Sequence, residues 1–95
     1  MKFEWGKNKS EANLQKHGIS FDEAKTIFYG HLLTIEDRRK EYGETRKISI
    51  GELEHKIAVA VVIHTDRKGK TRIISARIAS KKERTLYYEY LKEKS

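Results

Sequence analysis

His64, Arg67, Arg72, Ser75 and Arg77 fall within one short stretch, Val62–Arg77 (VIHTDRKGKTRIISAR). A guanidinium forks onto two phosphate or carboxylate oxygens and keeps its charge at any ordinary pH. An imidazole gives or takes a proton near neutrality. Gathered at one surface, such groups grip an anion and move protons around it. Charged residues in a short apolar strand are costly to bury. Either they reach solvent on one sheet face, or they are held there for a purpose.

The flanking residues set how these groups would be positioned. Lys56–His64 is a nearly continuous β-branched run, which suits a strand covered on both faces in the middle of a sheet. The turn Thr65–Lys70 contains Lys68-Gly69, where glycine permits the positive φ of a tight hairpin. Thr71–Arg77 is then the returning strand. With a two-residue loop, Arg67 faces Lys70, His64 faces Ile73, Val62 faces Ser75 and Ala60 faces Arg77. Opposed residues share a face, and so do alternate residues along a strand. This register therefore puts His64, Ser75 and Arg77 on one side, with His64 and Arg77 about 13 Å apart at the backbone. A loop of three residues breaks the parity.

The 95 residues fit a single domain, 1–95, with one modest core. There is no cysteine, which excludes a disulfide frame and a thiolate metal site. His17, His31, His55 and His64 lack metal-ligand spacing, so no metal or cofactor is expected. No signal peptide opens the chain and no apolar run reaches transmembrane length, so a cytoplasmic protein is expected, with no membrane partner. The net charge is +7, with a pI near 9.7, and the whole excess lies in residues 55–95. Such a basic half suits a polyanion, nucleic acid above all. The bland alternative is a solvated basic surface that serves solubility.

Lys2–Trp5 alternates as a short first strand. Asn8 with Glu11 reads as a capping box opening a helix that ends at His17-Gly18. Ser20 with Glu23 opens a second helix, whose Phe21, Ala24, Ile27 and Phe28 keep helical spacing up to Gly30. This pair is weakly basic and makes a poor DNA-reading motif. His31–Ile35 and Arg46–Ile50 read as strands joined by an exposed loop, Glu36–Glu44. Ser80 with Glu83 caps a last helix, with Leu86, Tyr87, Tyr90 and Leu91 on one face. The order is β-α-α-β-β-β-β-α. It predicts an α+β domain: a curved antiparallel sheet with helices on one face.

Phe3-Glu4-Trp5, Asn8-Lys9, Asn13-Leu14, Lys16–Phe21, Glu23-Ala24, Phe28, Arg46, Ile48–Gly51, His64–Arg67, Arg72–Arg77, Glu83-Arg84 and Tyr87 together resemble the BrnT-type toxins of bacterial type II toxin–antitoxin modules. The resemblance covers nearly the whole chain. The chain departs from the family pattern at Gly6-Lys7 and Tyr29-Gly30, both in turns. The resemblance implies a RelE-like fold and a ribonuclease that inhibits translation. It also implies a BrnA-like ribbon-helix-helix antitoxin, with operator DNA reached only through the toxin–antitoxin complex.

A ribonuclease without metal can position an RNA 2′-OH for attack on the adjacent phosphorus and stabilise the charge of the phosphorane. On that expectation Arg77 and Arg46 hold the phosphate, His64 moves a proton and Arg67 assists. Lys68, Lys70, Arg72 and Lys81 grip the RNA backbone. Each has a plainer reading. His64 could end a strand and hydrogen-bond to backbone, Arg46 could pair with Glu44 or Glu52, and Arg67 could be a solvated turn charge. Arg77 has no acid close in sequence to pair with. His17, Trp5, Tyr87 and Tyr90 read as structural. The alternative function is a non-catalytic domain that binds RNA or antitoxin.

Overall fold

The structure is a computed structural model that describes residues 1–94. Its elements are β1 (Phe3–Glu4), α1 (Lys7–His17), α2 (Phe21–Ala24, tightening into a 3-10 turn over Lys25–Tyr29), β2 (Leu33–Asp37), β3 (Arg46–Glu52), β4 (Val59–Arg67), β5 (Lys70–Ile78) and α3 (Lys81–Lys94). They form one five-stranded sheet in the order β1-β5-β4-β3-β2. The four strands β2–β5 are antiparallel neighbours, as their short links require.

The all-antiparallel expectation fails at β1. It runs parallel to β5, with Phe3 opposite Thr71 and Glu4 opposite Arg72. Two helices separate β1 from the next strand, so no hairpin dictates its direction, and it covers only the start of the β5 edge, at Thr71 and Arg72. The expectation of helices on one face is also corrected. Ile19, Phe21, Ala24 and Ile27 pack with Ala60, Val62, Ile73 and Ala76 on one face, called here the core face. Tyr87 of α3 packs with Ile50, Val59 and Val61 on the other, the α3 face. The consecutive apolar residues Val59–Val62 make both faces of β4 apolar, and each needs a cover.

Local signals hold where a side chain is free to act. Gly18 takes φ +74° and its N–H reaches the Leu14 carbonyl at 2.8 Å, closing α1. Ser20 Oγ accepts from the Glu23 N–H at 3.1 Å. At α3 the capping box is reciprocal: the Glu83 N–H donates to Ser80 Oγ at 3.2 Å and the Ser80 N–H donates to Glu83 Oε1 at 2.8 Å. The Asn8–Glu11 box does not form. Gly6 is the N-cap, the helix starts at Lys7, and Asn8 is already inside the first turn.

Gly51 is where the turn after α2 crosses β3. A Cβ there would lie 3.0 Å from Ile27 Cβ, so a side chain would force the layers apart.

Asn13, 7 % exposed, ties α1 to the sheet. Its Nδ2 donates to the Ile19 and Ala76 carbonyls at 2.9 and 2.8 Å, and its Oδ1 accepts from the Ala76 N–H at 3.2 Å. β1 pairs no further along β5 than Arg72, so this amide stands in for a neighbouring strand at Ala76. Asn13→Ala leaves three backbone groups without partners and should cost about 2 kcal/mol in urea-unfolding stability. A loss within a few tenths of a kcal/mol would mean that water replaces the amide.

Candidate active site

The β4–β5 hairpin opens as its turn residues dictate. Lys68 and Gly69 both take positive φ (52° and 79°), and Arg67 pairs with Lys70, Thr65 with Arg72 and His64 with Ile73. The register then slips between His64 and Ile63. Ile63 pairs with Ser75, Val62 with Ala76 and Val61 with Arg77. One extra residue, in the Ile73–Ser75 segment of β5, is accommodated as a bulge.

That bulge overturns the shared face expected for His64, Ser75 and Arg77. His64 lies on the core face with Val62, Ile73 and Ala76. Ser75 and Arg77 lie on the α3 face with Ile63 and Val61. An inserted residue reverses side-chain parity for the rest of the strand, and bulges re-aim side chains in this way. The same shift brings Lys70, Arg72, Ser75 and Arg77 into one line along the α3 face. Arg46, beside Lys47 (which pairs with His64) and opposite Asp37, also points to that face.

α3 covers only part of this face. Beyond it runs a row formed by Ile35, Ile48 and Ile63 on neighbouring strands and ending at Ser75. Ile35 is 58 % exposed, and Ile48 and Ile63 are half-buried. The row is an apolar floor with arginines around it.

Arg77 is held by a carboxylate six residues on, a partner that the sequence did not suggest. Its Nη1 and Nη2 donate to Glu83 Oε1 and Oε2 at 2.7 and 2.8 Å. The bond to Glu83 raises the Arg77 pKa; burial and, more weakly, the Arg39 charge oppose the rise. The same bond, with help from Ser80, holds Glu83 down at about 2.

Arg46 pairs with Glu44 at 3.1 Å, not with Glu52, and lies 4.0 Å from the Tyr42 ring centroid. Arg72 pairs with Glu4 at 2.8 Å across the β1–β5 pairing. Arg67, Lys68 and Lys70 are exposed at the hairpin tip, and their side chains have no partner among the described residues. Seven residues of strand, about 20 Å, separate Lys70 from Arg77, so the tip and Arg77 meet different parts of any ligand. Lys81 is exposed at the first position of α3.

His64 is 5 % exposed. Its Nε2 and Ser49 Oγ are 2.8 Å apart, and Ser49 Oγ is 2.7 Å from Thr34 Oγ1, a polar row across three strands. Phe28 packs edge-on against the ring at 4.9 Å. Burial pushes its pKa down to about 4; the Asp66 charge opposes this and the Lys47 charge assists it. The imidazole is neutral at physiological pH and sealed from the α3 face.

Sequence reasoning passed over Asp37 and Arg39. The loop after β2 is built on the buried Asp37 carboxylate, which accepts from Arg39 Nε and Nη2, both at 2.8 Å, from the Arg39 N–H at 3.2 Å and from the Tyr42 hydroxyl at 3.1 Å. Arg39 chiefly holds the Asp37 pKa far below the carboxylate range. The usable signal was an aspartate at a strand end with an arginine two residues on, the pattern by which Asp organises a turn.

The chain matches, over residues 5–83, the model of a family described as ribonuclease toxin, BrnT, of type II toxin–antitoxin system. The chain belongs to the BrnT family. As a BrnT toxin it has RNA as substrate and an antitoxin as partner. The match spans α1 through the start of α3, and therefore the whole bulged hairpin and the Arg77–Glu83 fork. No curated protein matches the chain. No helix among the described residues is long and apolar enough to cross a membrane.

Proposed function

We propose that this BrnT chain is an endoribonuclease that cuts RNA on the open part of its α3 face by 2′-OH attack, without a metal. The observation that carries this reading is the bulge, which lines up Lys70, Arg72, Ser75 and Arg77 on one solvent-facing surface. Arg77 and Arg46 meet the phosphate and the charge that grows on it. Arg67, Lys68, Lys70 and Arg72 hold the RNA backbone further along, with Lys81 at the other end. The 2′-oxygen bonds to phosphorus as the 5′-oxygen leaves, so one product ends in a 2′,3′-cyclic phosphate and the other in a 5′-hydroxyl. Asp37 and Glu83 are held ionised by their arginines, so the surface works by charge stabilisation and positioning more than by general acid–base catalysis. His64 then packs the core and does not touch RNA.

In this reading the fold is RelE-like, the protein acts in the cytoplasm, and cutting RNA inhibits translation. A ribbon-helix-helix antitoxin covers the same face, competes with RNA and carries the complex to operator DNA. One observation favours the alternative of a non-catalytic RNA- or antitoxin-binding domain: Arg77 already has a carboxylate in its fork. Incubating the purified protein with RNA in EDTA separates the two. Fragments with cyclic phosphate ends support the enzyme, and intact RNA supports the alternative. RNA binding should also weaken steeply with salt. For about four neutralised phosphates the log–log slope is near −3 on single strands. A flat response would remove the basic half from the RNA face.

A further inference from the structure

We propose that Arg39 is a second anion-binding residue of the site, gripping the same RNA phosphate as Arg77 from across the isoleucine row, with Asp37 as its positioning residue. The inference rests on the ribonuclease reading above. Asp37 and Arg77 are on the α3 face, on strands β2 and β5 at opposite sides of the row. Two strands lie between, and the Arg77 row meets β2 at Leu33, four residues before Asp37, so the two backbones are about 20 Å apart on the diagonal, a gap that two extended arginine side chains span with a phosphate between them. Arg39 stands two residues beyond Asp37 and folds back onto its carboxylate through Nε and Nη2. The two guanidiniums come close enough for the Arg39 charge to act on Arg77.

The anchoring makes Arg39 unlike the other cations of its loop. Asp37's side chain is fully buried, whereas Arg39's is 65 % exposed. One edge of the guanidinium is fixed and the rest faces solvent. Arg77 has the same construction on Glu83, with 47 % of its side chain exposed. A guanidinium has five N–H donors, and a carboxylate fork takes two, so each arginine keeps donors for a phosphate oxygen. Pre-set guanidiniums on opposite sides of one phosphate lose little freedom when it arrives. Arg38, next in sequence, pairs with Glu36 instead and is 82 % exposed, which makes it a matched control.

The test is a double-mutant cycle read by binding of a 2′-O-methyl RNA oligonucleotide, which cannot undergo 2′-OH attack. Wild type, Arg39→Ala, Arg77→Ala, the Arg39→Ala/Arg77→Ala double variant, Arg38→Ala, Asp37→Asn and Asp37→Asn/Arg39→Ala are compared, each first checked for an unchanged circular dichroism spectrum. Arg39→Ala and Arg77→Ala should each weaken binding about tenfold, as loss of a charge-assisted hydrogen bond does. Arg38→Ala should change it less than about twofold. The double variant should lose clearly less than the product of the single losses, because both arginines hold one phosphate. Asp37→Asn should weaken binding in the wild-type background and add nothing once Arg39 is alanine. If Arg39→Ala behaves like Arg38→Ala while Arg77→Ala binds weakly, the inference falls and the ribonuclease reading stands. If the two losses multiply, the shared phosphate is wrong. If Arg77→Ala binds and cuts as wild type, the reading of the face itself fails.

Discussion

Arg77→Ala should lower single-turnover RNA cleavage by about 10²–10³-fold, the usual loss for a donor aimed at transition-state charge. The Michaelis constant should rise much less, because the interaction strengthens as phosphorane charge develops. The fold should survive. Arg77 is half-exposed, Glu83 keeps its bonds to Ser80, and an exposed ion pair contributes about 1 kcal/mol or less. Arg77→Lys restores the charge but not the fork. If Arg77 only grips ground-state phosphate, lysine substitutes in part and the loss appears in binding. Melting temperature and single-turnover rate, measured on both variants, separate the cases. A variant that melts normally and cuts at the wild-type rate takes Arg77 out of the site.

The second large effect is on stability in mild acid. His64 has a folded-state pKa of about 4 against 6.5 unperturbed. Between these values the unfolded chain binds a proton that the folded chain refuses. The contribution of the neutral imidazole is therefore complete above pH 6.5 and is lost as the pH falls towards 4, by about 3 kcal/mol in all. His64→Leu keeps the Thr34–Ser49 bond and removes the titration, so its stability should vary much less across that window. Glu83 contributes in a lower window: its stabilisation is present above its ordinary pKa of 4.5 and is lost as the pH falls through about 2. Urea unfolding of wild type and His64→Leu at pH 7, 5.5 and 4.5 reads the slope. Equal slopes for the two proteins would place the titrating group elsewhere. A folded His64→Leu should still cut RNA within a few-fold of wild type, because the imidazole is sealed from the α3 face.

Much of the fold was legible because its signals are local. The hairpin turn, the Gly18 stop, the Ser20 and Ser80 caps and the β4 run follow from the residues themselves. The side of the sheet on which each group lies was not. That depended on one bulged residue in β5, and Ile73-Ile74-Ser75 carries no glycine or proline to mark it. With parity reversed, Ser75 and Arg77 joined Lys70 and Arg72 on one face and parted from His64. The partners of the arginines escaped for a different reason. Glu83 reads fully as a capping residue, and its fork on Arg77 exists only because α3 folds back over the sheet. Asp37 and Arg39 read as solvated charges in a polar loop, and only burial of the Asp37 carboxylate sets them apart. The direction of β1 is a long-range choice that no short pattern encodes.

The central claim is that RNA lies on the open part of the α3 face. Isoleucine methyl groups report on it directly, because they mark both sides of the sheet. Ile35, Ile48 and Ile63 form the open row, while Ile19, Ile27 and Ile73 are buried beneath the core face. The measurement is a methyl NMR titration of the protein with 2′-O-methyl RNA. Shifts concentrated on Ile35, Ile48 and Ile63, with Ile19, Ile27 and Ile73 unmoved, are the predicted result. Shifts on the buried three with the open row silent would contradict the account.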